Sequence, residues 1–520
     1  MLIKRIVALA TATHILKAAA ENIGQFPLVP ETADNIGQWG PTVNFPLVPV
    51  AAAVVAQTGQ LLVWSAGFDF NFIPATGETH TASYDPVTKK VSKLIVSNTN
   101  HDMFCPGISK DFNGRLVVTG GNSANRTSIY DPNSSSWIHA EDMKISRGYQ
   151  SSTILSDGRI FTIGGSWSGK LEVPKNGEIY NPTNGVWSLL PGCPVKPMLT
   201  ADKQGIYRAD NHGWLFGWKR GSVFQAGPSR AMNWYGTSGT GSTTPAGTRG
   251  SDPDAMCGIA VMYDAVAGKI LAAGGSPSYV DVPATRNAHI ITINDPLTNV
   301  TTETINSMSE ARAYACGVVL PDGKVFITGG QSFPVPFSDA NSSMDPELWD
   351  PITTRFAKMA RLPTPRNYHS VAVLMPDATV FNGGGGLCGS SCGTSNHPDG
   401  QFFSPPYLFE RDGRAAQRPI ISSVSSKNPR VSETITVRVT NIAKTCILRD
   451  PTFSLIRTGT TTHTVDTDQR RVPLTPKSAS ADTYSLSLPT DPGVLIPGYW
   501  YLFALACGVP SEAQIIHIRP

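Results

Sequence analysis

Short apolar runs that end on glycine recur along the chain. LLVWSAG ends at Gly67, and RLVVTGG, RIFTIGG and WLFG carry Gly120, Gly164 and Gly217. KILAAGG, KVFITGG and TVFNGG then carry Gly274, Gly329 and Gly383. These first glycines are 53, 44, 53, 57, 55 and 54 residues apart, close to the ~50-residue period of kelch-type propeller blades. Between them stand Tyr84-Asp85-Pro86, Tyr130-Asp131-Pro132, Tyr180-Asn181-Pro182 and Trp349-Asp350-Pro351, twice followed by a tryptophan, Trp137 and Trp187. An aromatic closing one strand, a Pro-containing turn and a second aromatic strand form a hairpin pattern. No helical periodicity of useful length interrupts it. The pattern predicts an all-β chain with a seven-bladed, kelch-type β-propeller over residues 38–405. After Phe403-Ser404-Pro405-Pro406 the glycine pairs stop. Alternating strands such as Thr434-Ile435-Thr436-Val437 predict an immunoglobulin-like sandwich over residues 417–520.

Composition narrows the class. Hydrophobic residues make up 40% of the 520 residues, too many for general disorder. A net charge of +3 implies no strong field for nucleic acid or an anionic membrane. No apolar run reaches the ~18 residues of a membrane span. Lys4 and Arg5, the apolar stretch from Ile6 to Ala12 and the small residues Ala18 to Ala20 read as a signal peptide over residues 1–20, although His14 and Lys17 depart from the ideal pattern. Sequons at Asn125, Asn133, Asn299 and Asn341 fit a secreted protein. The stretch from Glu21 to about Gly37 is too short for a separate module. Of the eight cysteines, Cys388 and Cys392 are spaced for a local disulfide, and Cys446 and Cys507 are a candidate pair in the last domain.

The repeat also aligns chemistry. Fifteen residues before Gly120, Gly164, Gly329 and Gly383 stand Cys105, Tyr149, Tyr314 and Tyr368. Pseudosymmetry places these four at similar depth around one axis. Ordinary aromatic packing and a place in a polar cluster are both open for Tyr314 alone, but packing explains neither Cys105 nor His369, which follows Tyr368. Converging polar side chains need partners, and a metal ion would supply one. Neighbours on a regular strand face opposite ways, so Tyr368 and His369 reach one ion only where the strand begins or bends. His463, in THTVDTDQRR, is by itself an ordinary loop histidine.

The strings HDMFCPGIS, SRGYQSS, FTIGGSWSG, KPMLTADKQGIYR, RGSVFQAGPSRAMNWY, PDAMCG, FNGGGGLCG and THTVDTDQRR are long and unusual. Through them the chain resembles the galactose oxidase family of copper-radical oxidases over nearly its whole length. The resemblance implies a single copper held by Tyr149, Tyr368, His369 and His463. It implies a thioether between Cys105 and Tyr149 that forms a redox-active tyrosyl cofactor, with Trp167 stacked over it and Tyr368 as the base. It further implies Arg208, Tyr207, Tyr279 and Phe337 at the substrate, with Phe70 or Phe72 at the mouth. The chain departs from the family at Val280, where a sugar-binding glutamine is expected, and at Tyr314, which replaces a phenylalanine.

Imidazole and phenolate donors suit Cu(II), and no credible GxGxxG context for a nicotinamide or flavin cofactor occurs. The expected activity is oxidation of primary alcohols, galactose or related carbohydrates among them, to aldehydes with O2 reduced to H2O2. The alternatives are the same chemistry on aryl or aliphatic alcohols, raffinose-like oligosaccharides or aldehydes, as in glyoxal oxidase, or a non-catalytic kelch binding module. The expected partners are a small-molecule substrate and O2, with no nucleic acid and no membrane, acting on a monomer.

Overall fold

The computed structural model describes residues 31–170, 173–202, 209–443, 446, 450–480 and 482–520. The expected signal peptide lies outside them. Seven antiparallel sheets follow one another as propeller blades. Blade 2 shows the plan, with strands Gly107–Lys110, Leu116–Thr119, Thr127–Asp131 and Ser136–His139 running from the axis outward. Both inner strands are buried on both faces; the second, Leu-Val-Val-Thr, reads as an apolar run rather than as alternation, whereas the innermost, Gly-Ile-Ser-Lys, also buries polar side chains. The recurrent aromatics sit directly across the outer hairpin. Tyr130 pairs with Trp137, ring centroids 5.4 Å apart, and Tyr180 with Trp187 at 5.2 Å. Such cross-strand aromatic pairs stabilise a hairpin that is wet on its outer side.

The ring closes on itself. Gln38–Trp39 and Val43–Asn44, from the start of the described chain, pair with Asp399–Ser404 of blade 7. That contact satisfies an edge that would otherwise be open.

The last domain is a sandwich. One sheet holds Ile420–Val424, Thr434–Thr440, Thr483–Ser487 and Pro476–Ser480. The other holds Arg471–Leu474, Thr452–Arg457, Gly498–Ala506 and Val509–Pro510, with Gln514–Ile518 beside Gly498–Ala506. Its core, including Val437, Leu455, Trp500 and Leu502, continues into Trp214, Trp234 and Ile270 of blades 4 and 5. One apolar core therefore fixes the sandwich against the propeller. From the sandwich, Thr460–Thr462 reaches back and pairs with the innermost strand of blade 1, Thr462 opposite Ala51.

The structure corrects the glycine count in three blades. Gly217 lies in the innermost strand of blade 4, Trp214–Gly217, and the glycine that ends the next strand is Gly227. In blade 7 the left-handed glycine after the second strand's partner pairing is Gly384 (φ +77), not Gly383. In blade 1 the residue in this position is Ser65, whose N–H bonds to His80 as that of Gly120 bonds to Arg126, so Gly67 lies two residues beyond it.

Candidate metal centre

In blades 2 to 6 the innermost strand starts two residues after a side chain aimed at the axis. Before Gly107, Ser151, Trp214, Ile259 and Cys316 stand Cys105, Tyr149, His212, Cys257 and Tyr314, with φ of 59°, 65°, 52°, 55° and 63°. Left-handed backbone costs a non-glycine residue roughly 1–3 kcal/mol and persists only when its surroundings enforce it. Here backbone bonds between blades enforce it. The N–H of Tyr149 donates to Cys105, that of His212 to Tyr149 and that of Tyr314 to Cys257, each at 2.9 Å.

In blade 7 the register, Val371 opposite Gly383, puts His369 (φ 70°) in this position rather than Tyr368. This corrects the count from Gly383. The left-handed turn lets both neighbours face the axis, with their rings 3.9 Å apart and inclined by 27°.

His463 arrives from below. It and Thr464 are also left-handed, φ 51° and 73°. The hairpin that carries it is bonded to the inner ends of six blades. Thr462 Oγ1 donates to the Val50 carbonyl at 2.9 Å, and Asp468 Oδ2 accepts from Lys110 N at 2.9 Å. Thr467 donates to Ser152, Thr464 to Gly258 and Arg470 to Gly217, while Gln469 accepts from Val319. Within the loop, Asp466 Oδ1 accepts the N–H groups of Thr460, Asp468 and Gln469 at 3.2, 3.1 and 3.0 Å. Burial pushes the Asp466 carboxyl up to about 7.

The donors converge at the axis. The Tyr149 and Tyr368 hydroxyls are 2.5 Å apart, and Cys105 Sγ is 3.4 Å from His463 Nε2. Donor atoms of Cys105, His369 and His463 lie within 4.8 Å of one another. Both imidazoles are held by the far nitrogen. His369 Nδ1 donates to the Gly386 carbonyl at 2.6 Å. His463 Nδ1 lies 2.6 Å from Thr462 Oγ1, whose own hydrogen goes to Val50, so the imidazole is the donor. Each Nε2 is thereby left for the axis, and that of His369 is buried without a hydrogen-bond partner. An orphaned buried nitrogen is costly, and metal-ligating histidines are oriented in this way.

Burial drives the His369 pKa down to about 3 and that of His463 well below its ordinary value, so both imidazoles are neutral. Burial raises the Tyr149 and Tyr368 phenols far above theirs. Unaided, such phenols do not ionise, whereas a divalent cation displaces their protons. Two neutral imidazoles and two phenols fit copper.

Sequence reasoning missed His212. It lies fifteen residues before Gly227, so the correct glycine would have found it. Its Nε2 is 3.1 Å from the Tyr279 hydroxyl, which donates to the Tyr368 hydroxyl at 3.2 Å. The His212 ring is stacked on His463 at 5.0 Å. Cys257 was hidden by a longer hairpin in blade 5.

Loops between the second and third strands of the blades build the mouth. Phe72 stacks on Phe104 at 4.9 Å and lies parallel to Phe337 at 5.7 Å, and Phe337 in turn meets Tyr368 edge-on. Phe70 is instead turned outward. Val280 is buried in the cluster of Tyr279, Tyr314 and Tyr368, and the Tyr314 hydroxyl donates to the Tyr279 carbonyl. Trp167 meets Tyr149 edge-on, 4.9 Å away at 88°, rather than stacked, and is 40% exposed. Tyr207 and Arg208 lie outside the described residues. Cys388 is bonded to Cys392, and Cys446 to Cys507.

Residues 418–518 match the family model described as "Galactose oxidase-like, Early set domain". A galactose oxidase of Gibberella zeae is 51% identical over 99% of this chain and 75% of its own length. An aldehyde oxidase of Arabidopsis thaliana is 27% identical over 41% of this chain and 36% of its own length. Among solved structures, one described as a novel fungal alcohol oxidase with catalytic diversity among the AA5 family, in complex with copper, superposes with a TM-score of 0.89. It is 48% identical and covers 94% of this chain and all of its own.

Proposed function

The chain belongs to the galactose oxidase family, and from that premise we propose that it is a secreted copper-dependent oxidase that converts primary alcohols to aldehydes and O2 to H2O2. Tyr149, Tyr368, His369 and His463 would hold the metal. The observation that carries this reading is the partnerless Nε2 of His369 beside His463 and two phenols that burial keeps protonated. Copper, with a Cys105–Tyr149 thioether in its oxidised form, supplies a two-electron acceptor, one electron at each.

Forming the thioether joins Cys105 Sγ to a ring carbon of Tyr149 and removes two hydrogens, with O2 as oxidant. In turnover, Tyr368 takes the substrate's O–H proton. It is placed to share that proton with Tyr279 and His212, 3.2 and 3.1 Å along one chain of hydrogen bonds. Tyr149, joined to Cys105, would supply the acceptor of one hydrogen atom from the carbinol carbon, and the copper held beside it would supply the acceptor of the second electron, so that the carbon leaves as an aldehyde. Phe72, Phe104, Phe337 and Val280 exclude water from that carbon. Trp167 covers the rim of Tyr149. Arg208 and Tyr207, carried over by resemblance, would hold a sugar's hydroxyls.

A second reading is favoured by the parallel phenyl rings of Phe72 and Phe337 and by Val280 at the mouth. These suit aryl or aliphatic alcohols better than a sugar. The test is peroxide release from copper-loaded protein with galactose, raffinose, benzyl alcohol, butanol and methylglyoxal, alongside the intact mass. Peroxide from one or more alcohols is expected, together with a mass that stays two hydrogens below that of the unmodified chain after both disulfides are reduced. No peroxide from any of them, with an unchanged mass, would leave a binding module. Butanol turnover far above galactose would select the second reading.

A further inference from the structure

The loop of blade 7 at residues 385–397 touches His369, Tyr368, Cys105 and Tyr149. Gly386 accepts Nδ1–H of His369 at 2.6 Å, and its N–H donates to the Tyr368 carbonyl at 3.1 Å. Leu387, buried at φ 80°, packs in one cluster with Cys105 and Tyr149. On its other side, Gly389 N donates to the Phe70 carbonyl at 2.7 Å, and Cys388 forms a bridge with Asn71. Those two residues precede Phe72, the inner wall of the mouth.

Little regular structure holds this loop. Residues Gly389–Ser395 are short 3-10 turns broken at Gly393. At its far end His397 N donates to Gly385 O at 3.0 Å, and two further features fix the turn. Asn396 Oδ1 accepts Leu387 N at 2.6 Å and its Nδ2 donates to Gly389 O at 2.9 Å. The Cys388–Cys392 disulfide closes the turn between them.

We propose that the Cys388–Cys392 disulfide is a positioning element for the copper site and the substrate mouth together, acting through Gly386 on His369 and through Asn71 on Phe72. This rests on His369 being a copper ligand. The partner of a ligating histidine's far nitrogen sets its tautomer and ring angle, and losing it typically lowers metal affinity ~10–100-fold. With the bridge cut, the Gly386 carbonyl hangs on a loop free to sample other conformations, and the hydrogen bond to His369 is made part of the time. The same freedom reaches Phe72 through the paired backbone at Asn71.

The experiment compares wild type, Cys388→Ser/Cys392→Ser and, as control, Cys446→Ser/Cys507→Ser. Each apoprotein is titrated with Cu(II) against a competing chelator, and the loaded forms are read by electron paramagnetic resonance. The first double variant is expected to bind copper ~10–100-fold more weakly, with an altered copper hyperfine pattern and a raised KM for butanol. The control should match wild type in both copper readouts. If the first variant fails to fold, folded wild-type apoprotein and the control variant are reduced with a dithiol, which takes the disulfide's place as the oxidised partner. Both are then alkylated, desalted and titrated in the same way. Copper affinity and spectrum equal to wild type, even with a lower Tm, would mean the bridge serves only to stabilise the fold and would overturn the proposal. Wild-type protein that holds no copper would overturn the ligand assignment as well, so the two failures are told apart.

Discussion

Arg312 and Asp466 are both buried charged residues near the axis, yet they belong to opposite kinds of structure. Arg312 is part of the repeat. Its guanidinium donates to the Gly329 carbonyl at 3.0 Å and to Glu347 at 2.9 Å. Arg147 with Glu178, and Arg366 with Asp399, do the same work in blades 3 and 7. Asp466 has no counterpart. It folds a single hairpin that enters the ring from the sandwich and carries His463. The frame is thus secured by repeated, separate pairs, whereas the fourth proposed ligand, His463, depends on one insertion. Damage to the frame should therefore appear as lost stability, and damage to the insertion as lost copper.

Arg312→Met gives the largest effect. It leaves Glu347 buried and unpaired, so unfolding free energy should fall by ~3–5 kcal/mol in denaturant titrations, while copper affinity of the folded protein stays near wild type. Asp466→Ala should reverse the pattern. It removes the acceptor of three loop N–H groups, and copper affinity should fall ~10–100-fold with a smaller loss of stability. Asp466→Asn keeps the accepting oxygen and should restore most of the affinity. Equal losses of stability and copper in both variants would abolish the distinction.

The difference also explains what the sequence could reveal. Repetition makes a signal readable, because a strand-ending glycine recurs around the ring and at four of those glycines a Cys or Tyr stands fifteen residues before it. That was enough to bring Cys105, Tyr149, Tyr314 and blade 7's Tyr368–His369 pair to one axis. It failed where the local geometry broke the period. An early glycine in the inner strand hid His212, and the extra residue before Gly384 exchanged Tyr368 for His369. Insertions carry no period at all. Nothing in THTVDTDQRR shows that Thr462 and Asp468 bond to blades 1 and 2, so His463 came from resemblance. The arginines of SRGY, ARAY and PRNY were visible, but their partners Glu178, Glu347 and Asp399 lie about 30 to 35 residues onward.

Asp102 sits between the frame and the substrate mouth. Its carboxylate accepts from Phe104 N at 3.3 Å, next to Cys105, and from Asn122 Nδ2 at 3.0 Å, which also donates to the Phe72 carbonyl. Burial raises its pKa from the ordinary 3.8 to about 6. The folded state then binds the proton more tightly than the unfolded chain. The stabilisation is complete below about pH 4 and is lost as pH rises through about 6. A shift of this size corresponds to ~3 kcal/mol. Thermal unfolding from pH 4 to 7 should show wild type losing stability relative to Asp102→Asn across that window. Parallel curves would mean that this position carries no such penalty.

The smallest effect concerns the mouth, where the inserted loops alone decide. Val280 sits beside Tyr279 on the blade 5 loop and is buried against Tyr314 and Tyr368. The frame does not depend on it, so Val280→Gln should leave stability and copper binding close to wild type. Its amide would meet a sugar hydroxyl where the valine offers none. One such hydrogen bond is worth about 1 kcal/mol, so kcat/KM for galactose should rise about fivefold. For butanol it should fall, because the amide must then be desolvated without a partner. Measured as a ratio of the two substrates, the opposed changes reinforce each other. A ratio unmoved by Val280→Gln would mean that selection lies in the frame, at Tyr314 and Tyr368, rather than in the inserted loop.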